Sequence, residues 1–268
     1  MNKNIFDFTD NKEFIDTQII SYKYKNNTEY YNQSIEGKMI SSIVALEFLG
    51  IMKPNENKAK FYPIITSIKH TFLSSLLVYD KAHVDMLGKS STDRLIIDFN
   101  GEFDSIIVYS NEAISYILNH KSIDVLLSFA KLSLNKEEFK SFRKRVNYLI
   151  DNNLTVVPVN KDIVIRMKSI YEHIKKEYNV KEKNYRNSFM DLLILATALE
   201  HGMELLTCDK ELNKALKKSC DFLRIDYYSD EIMRIGYKDD KEKNKHKNDN
   251  KGYINNSWRI IMKKGATL

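Results

Sequence analysis

Apolar residues run almost without a break over 192–199, inside the stretch SFMDLLILATALEHGMELLTCDKEL that spans 188–212. A helix that is apolar on every face must be covered on every face, so this run predicts a helix at the centre of a layered domain. Ser188 stands where an N-cap is expected, and Asp191 follows at the capping-box position. Gly202 predicts the helix end, 204–207 is short enough for a buried strand, and 210–218 reads as the next helix.

The same reading applied upstream predicts a short strand over 13–15 passing into a helix over 18–25. Ser41 or Ser42 opens a second helix, with Ile43, Leu46 and Leu49 at helical spacing and Glu47 in its second turn. Residues 154–159 read as a strand ending near Pro158, 161–178 as a helix and 222–228 as a closing strand. Between these segments, 61–86 reads as helical and 95–109 as two β runs around the turn Asn100-Gly101. Residues 111–134 and 136–150 read as amphipathic helices. Strand, helix, strand, helix in this order predicts an α/β domain, a parallel sheet between two helical layers. The expected organisation is a core over 1–52 and 152–230, a mainly helical insertion over 53–151 and a basic tail over 231–268.

Composition narrows the class. At 268 residues and 43% hydrophobic content, the chain can bury a large core. Cys208 and Cys220 make neither a disulfide framework nor a CxxC metal site. No signal-peptide pattern opens the chain and no apolar run is long enough to cross a bilayer, so a cytoplasmic protein is expected. Between Lys238 and Lys264 stand nine Lys or Arg against four acids, which places +5 of the net +6 there. A basic end of this kind suits a nucleic-acid arm, and equally a solvated low-complexity segment.

The chemistry lies in the acids. Asp16 follows the first predicted strand, Asp191 opens the buried helix and Asp209 follows the strand after it. The carboxyl edge of an open α/β sheet is where ligands bind. Each Asp alone also fits ordinary helix capping, worth about 0.5–2 kcal/mol. Glu47 among so many apolar neighbours calls for a polar cleft or a cation, because an unpaired buried carboxylate costs several kcal/mol or takes up a proton. Carboxylates converging in one cleft repel one another and favour a hard cation, for which oxygen ligands select Mg²⁺ or Mn²⁺.

The fragments FIDTQII with Asp16, ISSIVALEFL with Glu47, SFMDLLILATAL with Asp191 and LLTCDKEL with Thr207 and Asp209 occur in this order. Together they resemble the PIN-domain family of nucleases, over roughly 12–50 and 152–228. The connection over 53–150 is longer than in small members of that family. The resemblance implies Mg²⁺- or Mn²⁺-dependent endonucleolytic cleavage of RNA, toxin-like or defensive in setting. It makes Asp16, Asp191 and Asp209 metal ligands, and Glu47 a ligand or a group that orients water. Thr17, Ser41 and Thr207 become supporting donors. Lys183, Arg186 and Lys210 are expected beside the phosphates, and Tyr22, Tyr24, Tyr30, Tyr31 and Tyr185 as platforms for unpaired bases. An inhibitory protein partner and a homo-oligomer fit the same resemblance. A nuclease acting on DNA and a scaffold that binds without cutting stay open.

Overall fold

The computed structural model describes residues 13–25, 34–53, 59–63, 93–178, 180, 185–229 and 231–238. Met1–Tyr237 forms one compact unit and Lys238–Leu268 a second. The strands of the first unit are β1 (Glu13–Ile15), β2 (Met39–Ser41), β3 (Ile51–Lys53), β4 (Ala59–Phe61) and β5 (Arg94–Ile97). They continue with β6 (Ile106–Tyr109), β7 (Thr155–Val157), β8 (Glu204–Thr207), β9 (Leu223–Tyr227) and β10 (Met233–Tyr237). The helices are α1 (Thr17–Tyr24), α2 (Ser42–Leu49), α3 (Asn111–Asn119), α4 (Asp124–Ser133), α5 (Lys136–Asp151), α6 (Lys161–Ile174), α7 (Tyr185–Glu200) and α8 (Lys210–Ser219).

A six-stranded sheet in the order β7-β2-β1-β8-β10-β9 carries the fold. Its first four strands are parallel, as the alternation of strands and helices requires. From β1 the chain moves outward to β2 and β7, then returns to add β8 on the other side of β1. The carboxyl ends of β1 and β8 therefore flank the point where the winding reverses, the usual place for a ligand in such sheets. The buried face of α7 runs without interruption from Leu192 to Leu199. Its one polar member, Thr197, satisfies its hydroxyl by donating to the Leu193 carbonyl at 2.7 Å.

The sheet continues past residue 230, where the sequence reading placed the start of the tail. The Tyr228 amide donates to the Ile232 carbonyl at 2.8 Å, so the chain between them returns on itself. Such a short connection returns the chain antiparallel, and β10 inserts between β8 and β9. Ile232, Met233 and Ile235 are buried there. Alternating charges then lock the neighbours in register: Lys38 with Glu13, Glu13 with Arg234, Arg234 with Glu204, Glu204 with Arg224, and Arg224 with Asp226.

Other expectations shift in detail. Helix α7 begins at Tyr185, so Ser188 lies inside it and is not its N-cap. The predicted helix over 111–134 is broken into α3 and α4, with Lys121 at a φ of 57° between them. Asn100 and Gly101 do adopt positive φ, at 54° and 86°, in the connection from β5 to β6. Phe61 ends a strand rather than opening a helix, and 64–92 lies outside the described residues.

The helices read as an insertion are packed on the sheet's own elements, α3 on β7 and α2, and α5 on α2 and β3. Asn111 explains the first contact: its Oδ1 accepts from Ser42 Oγ at 2.6 Å and from the Val159 amide at 2.8 Å, while its Nδ2 donates to the Val159 carbonyl at 2.7 Å. Asn119 treats β7 in the same way, pairing its amide group with both backbone groups of Val156 at 2.8 Å. These side-chain pairs cover the edge that β7 would otherwise leave open.

Candidate functional site

Asp16 is the first residue beyond β1 and the N-cap of α1, with extended backbone and only 7% of its surface exposed. Its amide still belongs to the ladder, donating to the Leu206 carbonyl at 3.1 Å. Its Oδ1 accepts from the Thr17 amide at 2.6 Å, and its Oδ2 accepts from Thr207 Oγ1 at 2.7 Å. The Thr17 hydroxyl in turn donates to Glu47 Oε2 at 2.6 Å, tying α1 to α2.

Thr207 ends β8, and its hydroxyl also accepts from the Asp209 amide at 3.1 Å. One hydroxyl thus holds two of the acids in place. Asp209 caps α8, its Oδ1 accepting from the Leu212 amide at 2.9 Å. Asp191 is different. It lies beyond the first turn of α7, so the capping explanation that fits Asp16 and Asp209 does not apply to it.

The electrostatics set the same residue apart. Burial pushes the Asp191 carboxyl up to about 9, and the charges of Asp16, Asp209 and Glu47 all push in the same direction. Asp16 is raised to about 6, by burial first, with the Thr207 hydrogen bond opposing and Glu47 adding repulsion. Glu47 is raised by burial and drawn back by the Thr17 hydroxyl and by Lys60. The four acids therefore share one field, and among the described residues nothing offsets it at Asp191. A divalent cation is the group this donor set fits, since it supplies the missing charge to oxygen ligands. Among the described residues no three His, Cys, Asp or Glu side chains stand close enough together to hold a metal ion in this arrangement.

Two further residues belong here that the sequence reading passed over. Lys60, on β4, is exposed and close enough to Glu47 to favour its ionised form. Tyr178 is 7% exposed, and its phenol is raised by burial and then by the charges of Asp191 and Asp209, with the Ser188 hydroxyl hydrogen-bonded to it. Neither has a local signature: a lysine in a polar loop and a tyrosine at a helix end are ordinary.

The remaining expected residues are dispersed. Ser41 is buried and caps α2, accepting from the Val44 amide at 3.2 Å. Arg186 is exposed and reaches the Ile107 carbonyl at 3.5 Å, and Lys210 pairs with Glu231 at 2.8 Å. Lys183, Tyr30 and Tyr31 lie outside the described residues, and Tyr22 is partly buried. Tyr24 packs edge-on against Phe48 and Tyr148, with ring centroids 5.3 and 5.1 Å apart, and Tyr185 stacks on Phe103 at 5.4 Å. Both are packing residues, as most aromatics are.

Thr207→Val isolates the hydroxyl, because valine keeps the shape and loses the donor. The bond favours ionised Asp16, so its loss raises the Asp16 titration midpoint further, by about one unit for a hydrogen bond of ordinary strength. Carbon-detected NMR titration of the metal-free protein reads this directly. An unchanged midpoint would contradict the role given to Thr207.

Residues 116–218 match the family model of the PIN domain. That segment runs from within α3 into the last turn of α8 and contains Asp191, Thr207 and Asp209, while Asp16 and Glu47 precede it. Comparison with curated proteins and with solved structures gave no match. PIN domains are generally metal-dependent nucleases acting on nucleic acids. Among the described residues no helix is long and apolar enough to cross a membrane.

Proposed function

We propose that this chain, whose residues 116–218 match the PIN-domain model, is a Mg²⁺- or Mn²⁺-dependent endoribonuclease cutting single-stranded RNA. The observation that carries this is the cluster of Asp16, Glu47, Asp191 and Asp209 at the switch point, with the charge of Asp191 uncompensated. When bound, the metal activates a water and neutralises charge on the scissile phosphate.

Asp16, Asp191 and Asp209 would hold the ion, and Glu47 would be a further ligand or orient the water. Thr207 keeps Asp16 and Asp209 at fixed separation through its shared hydroxyl, and Thr17 fixes the direction of Glu47. Lys60 meets the phosphate beside Glu47 as a solvated point charge. The helix N-terminus capped by Asp209 adds a partial positive charge at the same edge.

The test is cleavage of a mixed RNA pool, and of single-stranded DNA of matching sequence, with Mn²⁺, with EDTA, and by the Asp16→Asn variant. RNA cutting that requires both the metal and Asp16 is the expected result. DNA cut while RNA is spared would move the assignment to a DNA nuclease. Binding without any cutting would make the chain a scaffold.

A further inference from the structure

We propose that the solvent face of α5 is a binding surface for the backbone of the single-stranded RNA substrate, formed by Lys136, Lys140, Arg143 and Lys144. This rests on the nuclease reading above and adds to it a surface outside the acid cluster.

All four cations are exposed. They recur at i, i+4, i+7 and i+8, so they share one face of the helix in a line about 12 Å long at 1.5 Å per residue. Among the described residues none of the four has an ion-pair partner. Some exposed lysines elsewhere are paired, Lys175 with Glu172, Lys210 with Glu231 and Lys218 with Glu177, while others such as Lys131 and Lys161 stand singly among the described residues; α5 differs in lining up four such cations on one face. Like charges one turn apart weaken a helix; Glu138 lies off the line, and Glu137, three residues before Lys140, is the one acid at its edge. A row of cations one turn apart complements the successive phosphates of one strand, and a line rather than a broad patch suits a single strand over a duplex.

The opposite face of α5 connects this row to the acids. Phe142, Val146 and Leu149 are buried, and Arg145 donates from Nη1 to the carbonyls of Phe48 and Gly50, both at 2.7 Å. Those carbonyls end α2, the helix that carries Glu47, and β3 starts the hairpin that carries Lys60 directly after Gly50. The guanidinium also lies over the Phe48 ring, 5.7 Å from its centroid. A strand bound along α5 is thus held by a helix fixed to the element that bears an active-site acid.

The experiment uses the full chain carrying Asp191→Asn, so that RNA is bound but not cut. Binding of a fluorescent, unstructured RNA is followed by anisotropy across a KCl series, with and without K136Q/K140Q/R143Q/K144Q. Four lost phosphate contacts are expected to flatten the slope of log K against log salt by about 3, at roughly 0.7 per contact, and to weaken binding more than tenfold at low salt. The charge-conserving K136R/K140R/R143K/K144R keeps both slope and affinity. An unchanged slope in the glutamine variant overturns the proposal and leaves this face to some other occupant, as does a loss confined to DNA of the same sequence. Failure of the nuclease reading would be seen separately, as absence of metal-dependent cleavage by the chain with Asp191 intact.

Discussion

Asp191→Asn is expected to lower metal-dependent RNA cleavage by about a thousandfold or more, the scale on which loss of a central charged group acts, and at the same time to stabilise the metal-free protein at pH 8. The two effects have one cause. Asp191 is held at about 9 by burial and by the charges of Asp16, Asp209 and Glu47, against 3.8 for an ordinary aspartate. Between those values the folded state binds a proton that the unfolded state releases, so stability falls as pH rises through that window. Asparagine has no proton to lose. The variant and the unaltered chain should therefore melt at similar temperatures near pH 4 in EDTA and diverge toward pH 8, with the variant higher. Adding Mn²⁺ should raise the melting temperature of the unaltered chain and leave the variant almost unmoved, since binding to the folded state alone stabilises by mass action. Melting curves that stay parallel across pH, or cleavage that survives the substitution, would remove Asp191 from the site. A capping role cannot imitate the result, because α7 starts at Tyr185 and asparagine caps as well as aspartate.

The second large effect is on folding. Asn111→Leu is expected to destabilise the protein by about 3 kcal/mol or more, because it strips partners from the amide and carbonyl of Val159 and from the Ser42 hydroxyl, all in the interior. At roughly 2–4 °C per kcal/mol for a chain of this size, the melting temperature drops by about 10 °C. Asn111 is 3% exposed, so water cannot replace what the side chain supplied. Asn119→Leu is the matched comparison: it loses two bonds to Val156 at a partly buried position and should lose about half as much. Urea unfolding at constant pH measures both. Equal and small losses would mean that α3 merely rests on β7 and does not help hold it.

These expectations differ in how far they could be read from the chain itself. The strand β8 and the helix α8 were legible almost to the residue, as was the buried run of α7 though not its start, because an unbroken apolar run, Gly202, a short strand around Leu205 and Leu206 and a capping aspartate are local signals. The acids stood out as candidates through four fragments in a family's order and through the awkwardness of Glu47 among apolar neighbours. The strands β2 and β3 were not, since each is three residues long and adjoins α2 in the chain, whose helical spacing absorbs them. The strand β10 carried its alternation openly in Met233, Ile235 and Tyr237, but sat at the edge of a basic segment that drew attention to charge instead.

By itself the sequence determined the fold class and the buried central helix, and it singled out the acids as candidates, because each of these follows from the burial or propensity of residues close together in the chain. Tertiary structure alone decided that Thr207 ties Asp16 to Asp209 across adjacent strands, that Thr17 reaches Glu47, that Lys60 and Tyr178 attend the acids, and that Arg145 holds the end of α2. Those meetings depend on strand order and on where the winding of the sheet reverses. Hydrophobic periodicity reports which face of an element is buried, and it carries no information about which distant element covers that face.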